Sequence, residues 1–143
     1  MILLDTSGLL SALFPDQPHH QRSAHILLDL PVPGILSPFV LAEVDYMIGQ
    51  LAGAEAELQF LDDVAREAYR LVDFSSSDVA EAHDIIARYM DQDIGLADAS
   101  LVLLSQRMKT LDILTLDERH FRVVRGWKDQ TFRILPADHS AQS

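Results

Sequence analysis

Four carboxylates in this chain stand where a packed core would not choose an acid. Asp5 ends the apolar run M-I-L-L, Glu43 sits inside F-V-L-A-E-V-D-Y-M-I, Asp98 falls early in L-A-D-A-S-L-V-L-L, and Asp117 closes I-L-T-L. A charge in or beside a core is costly unless something pairs with it. Carboxylates gathered at one place also repel, and each is pushed toward protonation unless a cation lies between them. Oxygen ligands without Cys or His select hard ions such as Mg²⁺ or Mn²⁺. An ion of that kind activates a bound water, holds a phosphate oxygen and neutralises charge on the leaving oxygen, so the chemistry that fits is phosphodiester hydrolysis. Thr6, Ser7 and Thr115 stand beside two of the acids and are placed either to donate hydrogen bonds to them or to cap helices.

The elements that must position these residues follow from periodicity. Short apolar runs at 2–4, 35–36 and 112–116, with looser alternation at 69–74 and 131–135, predict five strands. Helical patterns fill 6–14 before Pro15, 20–30 before P-V-P-G, and 38–48, with Pro38 in the first turn. They continue over 54–68, where Leu58, Leu61, Val64 and Ala68 share a face, over 78–89 behind the capping run S-S-S-D, and over 96–108 after Gly95. Strands alternating with helices predict an α/β fold whose parallel sheet is covered on both faces.

In such a sheet ligands bind outside the carboxyl ends of the strands. Asp5 and Asp117 follow strands directly and share that rim, and Asp98 faces it from a helix start. Glu43 lies three residues after Val40 and four before Met47, on or beside the apolar face. Each acid also has a plainer reading. Asp5 suits an N-cap before Thr-Ser, Asp98 complements a helix N-terminus, and Asp117 caps the turn D-E-R-H. Glu43 is the hardest to explain this way, because residues 23–65 contain no Lys or Arg.

Composition narrows the class. The 143 residues, 48% hydrophobic and without repeats or linkers, fit one domain over 1–136 followed by a frayed tail at 137–143. The chain has no Cys, which removes disulfides and thiolate chemistry. An acid at position 5 argues against a signal peptide, and no window approaches the roughly 20 apolar residues of a membrane span, so a soluble cytoplasmic protein is expected. Net charge is −11, but cations gather late: residues 1–106 carry four basic and 17 acidic side chains, and 107–143 carry seven and five. That basic segment is either a solvated face or a phosphate-tracking patch, with Arg119, His120 and Arg122 as RNA contacts and Trp127 as a stacking or a packing residue. His19 and His20 point apart, lack a third ligand at metal spacing, and read as a loop.

The blocks D-T-S, S-P-F-V-L-A-E-V-D-Y, Y-M-D-Q-D-I-G-L-A-D-A-S-L-V and I-L-T-L-D-E-R-H-F, in this order, resemble the PIN-domain ribonucleases, in particular the VapC toxins of VapBC toxin–antitoxin pairs. The likeness spans residues 2 to about 136. It implies a three-layer α/β/α PIN-like fold with a five-stranded parallel sheet in the order 3-2-1-4-5. It also implies Mg²⁺- or Mn²⁺-dependent cleavage of single-stranded RNA, in transfer RNA or a ribosomal loop, and a homodimer that joins a VapB antitoxin in a hetero-oligomer. The family's acidic quartet falls on Asp5, Glu43, Asp98 and Asp117; Asp91 matches a supporting acid, and Asp93 stands where many relatives have Pro. The helix pair over 38–68 is the expected antitoxin surface. A PIN nuclease acting in RNA processing and a non-catalytic PIN-like binding module are the competing readings.

Overall fold

The computed structural model describes residues 1–139. Five strands, β1 (Leu3–Leu4), β2 (Ile35–Leu36), β3 (Arg70–Leu71), β4 (Asp112–Leu114) and β5 (Arg133–Leu135), pair in parallel in the order β3-β2-β1-β4-β5. Leu3 lies opposite both Ile35 and Ile113, which makes β1 the centre of the sheet. Its side chains and those of Leu4, Ile35, Leu36, Ile113, Leu114 and Ile134 are wholly buried, as a sheet covered on both faces requires.

The connections are helical: α1 (Thr6–Leu13) and α2 (His20–Leu28), then α3 (Pro38–Ala52) and α4 (Ala54–Ala65), then α5 (Ser76–Arg88) and α6 (Leu96–Met108). Single turns add a 3₁₀ segment at Met90–Gln92, α7 (Glu118–Phe121) and a second 3₁₀ segment at Trp127–Asp129. Local chemistry sets the helix starts. Ser37 accepts from the Phe39 amide ahead of Pro38, and Ser75 with Asp78 forms a capping box on α5. The chain steps outward from β1 to β2 and β3, then returns across the sheet to β4 and β5. Right-handed crossovers then put the two sets of helices on opposite faces and make the β1/β4 boundary the switch point. α1 lies against that boundary closely enough that a methyl group at Gly8 would overlap the Leu114 carbonyl.

The structure departs from the sequence reading in detail. β2 has its expected bounds, whereas the other four strands are shorter than expected, with β3 reduced to two residues and left exposed at the sheet edge. α4 turns Phe60 and Val64 inward, while Leu58 is 66% and Leu61 37% exposed, so its buried face sits one flank away from the expected one. Phe60 fixes that rotation by packing on the Tyr69 ring, 5.8 Å between centroids. Residues 137–139 are not frayed, because Asp138 accepts from the Ile134 amide at 2.8 Å and from Arg122 at 2.7 and 2.8 Å. The rest of the expected tail, 140–143, lies outside the described residues. No helix among the described residues is long and apolar enough to cross a membrane.

Candidate active site

The carboxyl ends of β1 and β4 hold the acids. Asp5 occupies the N-cap position of α1, yet its carboxylate makes no capping bond. It accepts instead from the Thr115 hydroxyl at 2.6 Å and, more weakly, from Ser7 at 3.4 Å. Thr115 in turn accepts from the Asp117 amide at 2.9 Å, and Ser7 accepts from the Leu116 amide at 2.9 Å. These hydroxyls tie the end of β1 to the end of β4 and fix the direction of the Asp5 side chain. Asp5 is 5% exposed, and burial pushes its carboxyl up to about 7; the Thr115 bond opposes the rise, and the charges of Asp98 and Asp117 add to it.

Asp98 enters from the first turn of α6 and Asp117 from the N-cap of α7. Asp117 does both things its position allows. One oxygen accepts from the His120 amide at 3.0 Å as a helix cap, and the other lies 2.9 Å from His120 Nδ1. The same Nδ1 is 3.1 Å from Asp98. Asp98 is held above the usual carboxylate range, first by burial and further by Asp117 and Glu43, with His120 acting against them. Ligand atoms of Asp98, Asp117 and His120 all lie within 4.8 Å of one another. No Lys or Arg pairs with Asp5, Glu43, Asp98 or Asp117 among the described residues.

Two observations make this site fit for a divalent cation. Asp5 and Asp98, raised first by burial and further by neighbouring acids, have no ammonium or guanidinium beside them among the described residues and are short of positive charge. His120 Nδ1 is a buried polar atom with no hydrogen-bond partner, although two carboxylate oxygens stand within ion-pair distance.

Glu43 takes the second of its two expected placements, beside the apolar face and not on it. The buried stripe of α3 is Val40, Val44 and Ile48, and Glu43 lies on its exposed flank at the rim. There it accepts from the Thr6 hydroxyl at 2.6 Å and still adds its charge at Asp98. The tightest cluster is therefore Asp98, Asp117 and His120, with Asp5 buried behind it and Glu43 at its mouth.

The secondary candidates sort clearly. Asp91 is exposed in the 3₁₀ turn before α6. Asp93 has φ 55°, a left-handed conformation that Asp tolerates, so the backbone accounts for this acid without ligation. His20 is not a loop residue: it starts α2 and its Nδ1 meets the Ser11 carbonyl at 2.8 Å. Arg122 is not free for RNA, since Glu118 and Asp138 both bind its guanidinium. Arg107 and Arg133 are likewise paired, with Asp78 and Asp112, which thins the late basic patch. Arg119 stays exposed and forms no ion pair among the described residues. Trp127 is half-buried, its amide bonded to Ser105 and Lys128 lying 4.7 Å over its ring.

Sequence reasoning set His120 apart from the acids as a phosphate contact. The signal for its true place was the D-x-x-H spacing, which returns the third helical residue to the side of its own cap.

Comparison with known proteins agrees with this fold. A PIN-domain profile matches residues 2–126. Ribonuclease VapC26 of Mycobacterium tuberculosis is 35% identical over 135 residues, covering 94% of this chain and all of that one. Among solved structures, the fold is similar to VapC20 of M. tuberculosis, a sarcin-ricin loop cleaving toxin (TM-score 0.75, 15% identity, 82% of this chain and 90% of that one). It is similar also to VapBC2 of Rickettsia felis bound to a fragment of its promoter DNA (TM-score 0.65, 17% identity, 94% and 98%). The acid-lined switch point, the 3-2-1-4-5 sheet and the chain-long likeness to a VapC ribonuclease together place this chain in the PIN-domain family, among its VapC members.

Proposed function

We propose that the chain is the toxin of a toxin–antitoxin pair, a divalent-metal-dependent endoribonuclease that hydrolyses single-stranded or loop RNA in the cytoplasm. One observation carries the reading: acids from the end of β1, α6 and the cap of α7 converge at the switch point with no Lys or Arg among the described residues to neutralise them. Asp5, Asp98 and Asp117 would hold Mg²⁺ or Mn²⁺, with Glu43 closing the mouth. When bound, the ion supplies a polarised water and neutralises charge on the phosphate and leaving oxygen. The chain's own residues orient that site. Thr115 and Ser7 aim Asp5, Thr6 fixes Glu43, and the α7 cap leaves one Asp117 oxygen directed inward. Arg119, exposed and without an ion pair among the described residues, stands one residue before His120 and is placed to meet the RNA backbone.

The antitoxin surface in this reading is the α3–α4 hairpin. Tyr46, Leu51 and Leu58 are half or more exposed there, among Glu43, Asp45, Glu55, Glu57, Asp62 and Asp63. Glu57 is held above the usual carboxylate range by the neighbouring carboxylate of Asp45, a further sign of crowded acids. A surface both apolar and anionic suits a partner segment with basic and apolar side chains, such as the C-terminal part of a VapB-type antitoxin. The R. felis relative forms a VapBC assembly, and a homodimer within a toxin–antitoxin hetero-oligomer is the assembly proposed for this chain.

The test is cleavage of total cellular RNA by antitoxin-free protein with Mg²⁺, Mn²⁺ or EDTA, with ends mapped and Asp98→Asn run alongside. Discrete metal-dependent cuts that vanish in the variant are expected. Absence of cutting under either ion overturns the nuclease reading.

A further inference from the structure

The geometry points to His120 as a direct metal ligand through Nδ1, giving the site a mixed oxygen and nitrogen donor set that favours first-row transition dications over Mg²⁺. This rests on the reading that the acid cluster binds a divalent ion, and specifies which ion it is built to prefer.

Three features of His120 support it. Its Nδ1 lies 3.1 Å from Asp98 and 2.9 Å from Asp117. For ligands about 2.1 Å from an octahedral ion, adjacent donor atoms are about 3.0 Å apart, so these separations match neighbouring positions in one coordination shell. Salt-bridge distances would be similar, but a salt bridge to imidazole should also align an N–H with an oxygen. Here Nδ1 is buried and makes no hydrogen bond, so neither carboxylate lies along its in-plane direction closely enough to satisfy it. The ring is also fixed from behind. His120 is the third residue of a helix whose cap is Asp117, and Phe121 beside it is wholly buried against Phe132, 5.6 Å between centroids. A side chain held there by packing would be poorly placed to reach out toward RNA.

The consequence is selectivity. Carboxylate and water ligands suit Mg²⁺, whereas an imidazole donor raises affinity for transition ions in the order Mn²⁺ < Fe²⁺ < Co²⁺. Without His120 the same acids would bind Mg²⁺ and Mn²⁺ with less discrimination.

The experiment uses the full purified chain and two probes, MnCl₂ followed by electron paramagnetic resonance and MgCl₂ followed by calorimetry. Wild type, His120→Ala, His120→Gln and Asp98→Asn are compared, with circular dichroism to verify folding. Electron spin-echo modulation of Mn²⁺ bound to the wild type should show a directly coordinated ¹⁴N, a readout that needs no variant. Loss of His120 should weaken Mn²⁺ by about tenfold or more while Mg²⁺ changes by less than about threefold; Asp98→Asn should weaken both. No nitrogen modulation, or an equal loss for the two ions, overturns the ligand assignment and leaves the nuclease reading standing. Failure of wild type to bind either ion overturns both.

Discussion

On one side of α7, Glu118 and Asp138 share the Arg122 guanidinium; on the other, Asp117 and Asp98 face each other across an imidazole. Arg122 holds Asp138 below the usual carboxylate range, and the two acids hold Arg122 above its own ordinary value. Asp98 moves the opposite way, because burial and neighbouring acids outweigh His120. The two clusters begin one residue apart in sequence. What separates them is solvent: the Arg122 group is a surface ion pair, whose geometry staples the chain end to α7 while contributing little energy. The site buries Asp5 and most of Asp98 and leaves them short of charge, an arrangement that costs stability and is useful only if a cation completes it.

Removing an acid from the uncompensated side is the strongest way to break this contrast. Asp98→Asn should lower RNA cleavage by about a thousandfold or more, the loss of several kcal/mol of transition-state stabilisation. The metal-free melting temperature should stay level or rise, because a repulsive charge has gone; a clear fall would assign Asp98 to the fold instead. Next in size is pH. The Asp5 carboxyl rises from 3.8 to about 7 on folding, so the folded state holds its proton more tightly than the unfolded chain. Metal-free stability should therefore be greatest below about pH 4 on this account and fall by about 4 kcal/mol as pH climbs toward 7. Urea titrations at several pH values, with and without Mn²⁺, measure this directly, and the ion should flatten the curve.

Thr115→Val should cost about 1–3 kcal/mol, since it strips a hydrogen bond from buried Asp5 and leaves the Asp117 amide without its acceptor. Chemical denaturation at pH 7 would measure it, and cleavage should drop with it. On the compensated side, Arg122→Gln should cost only about 0.2–1 kcal/mol and leave cleavage within about twofold. If that variant matched Thr115→Val in stability or cut RNA markedly less, the contrast between the two sides of α7 would not hold.

The same contrast explains what was legible in the sequence. Asp5 and Asp117 could be placed because they follow apolar strand runs, and strand ends in an α/β sheet share a rim whatever the helices do. The register of α4 was not legible: Leu58 and Leu61 fit an apolar stripe as well as Phe60 and Val64, and only packing on Tyr69 chooses between them. For Glu43 the sequence left two placements open, on or beside the apolar face, and the exposed flank is the one observed. His120 lies in a helix of four residues, too short to show an apolar stripe, so only its D-x-x-H spacing from the Asp117 cap pointed to its side. Arg122 and Asp138 are 16 residues apart, and nothing local to either announces the pair.

The α3–α4 hairpin carries six carboxylates between Glu43 and Asp63 and no cation anywhere from 23 to 65. Such a field reaches beyond contact distance, so on the proposed antitoxin surface it would govern how fast a basic partner is captured, while the exposed Tyr46 and Leu58 would govern how long it stays. Capture should slow steeply with added salt and release hardly at all. If the antitoxin docks here as proposed, the acidity of this hairpin sets the speed of the restraint and its apolar side chains set how long it lasts.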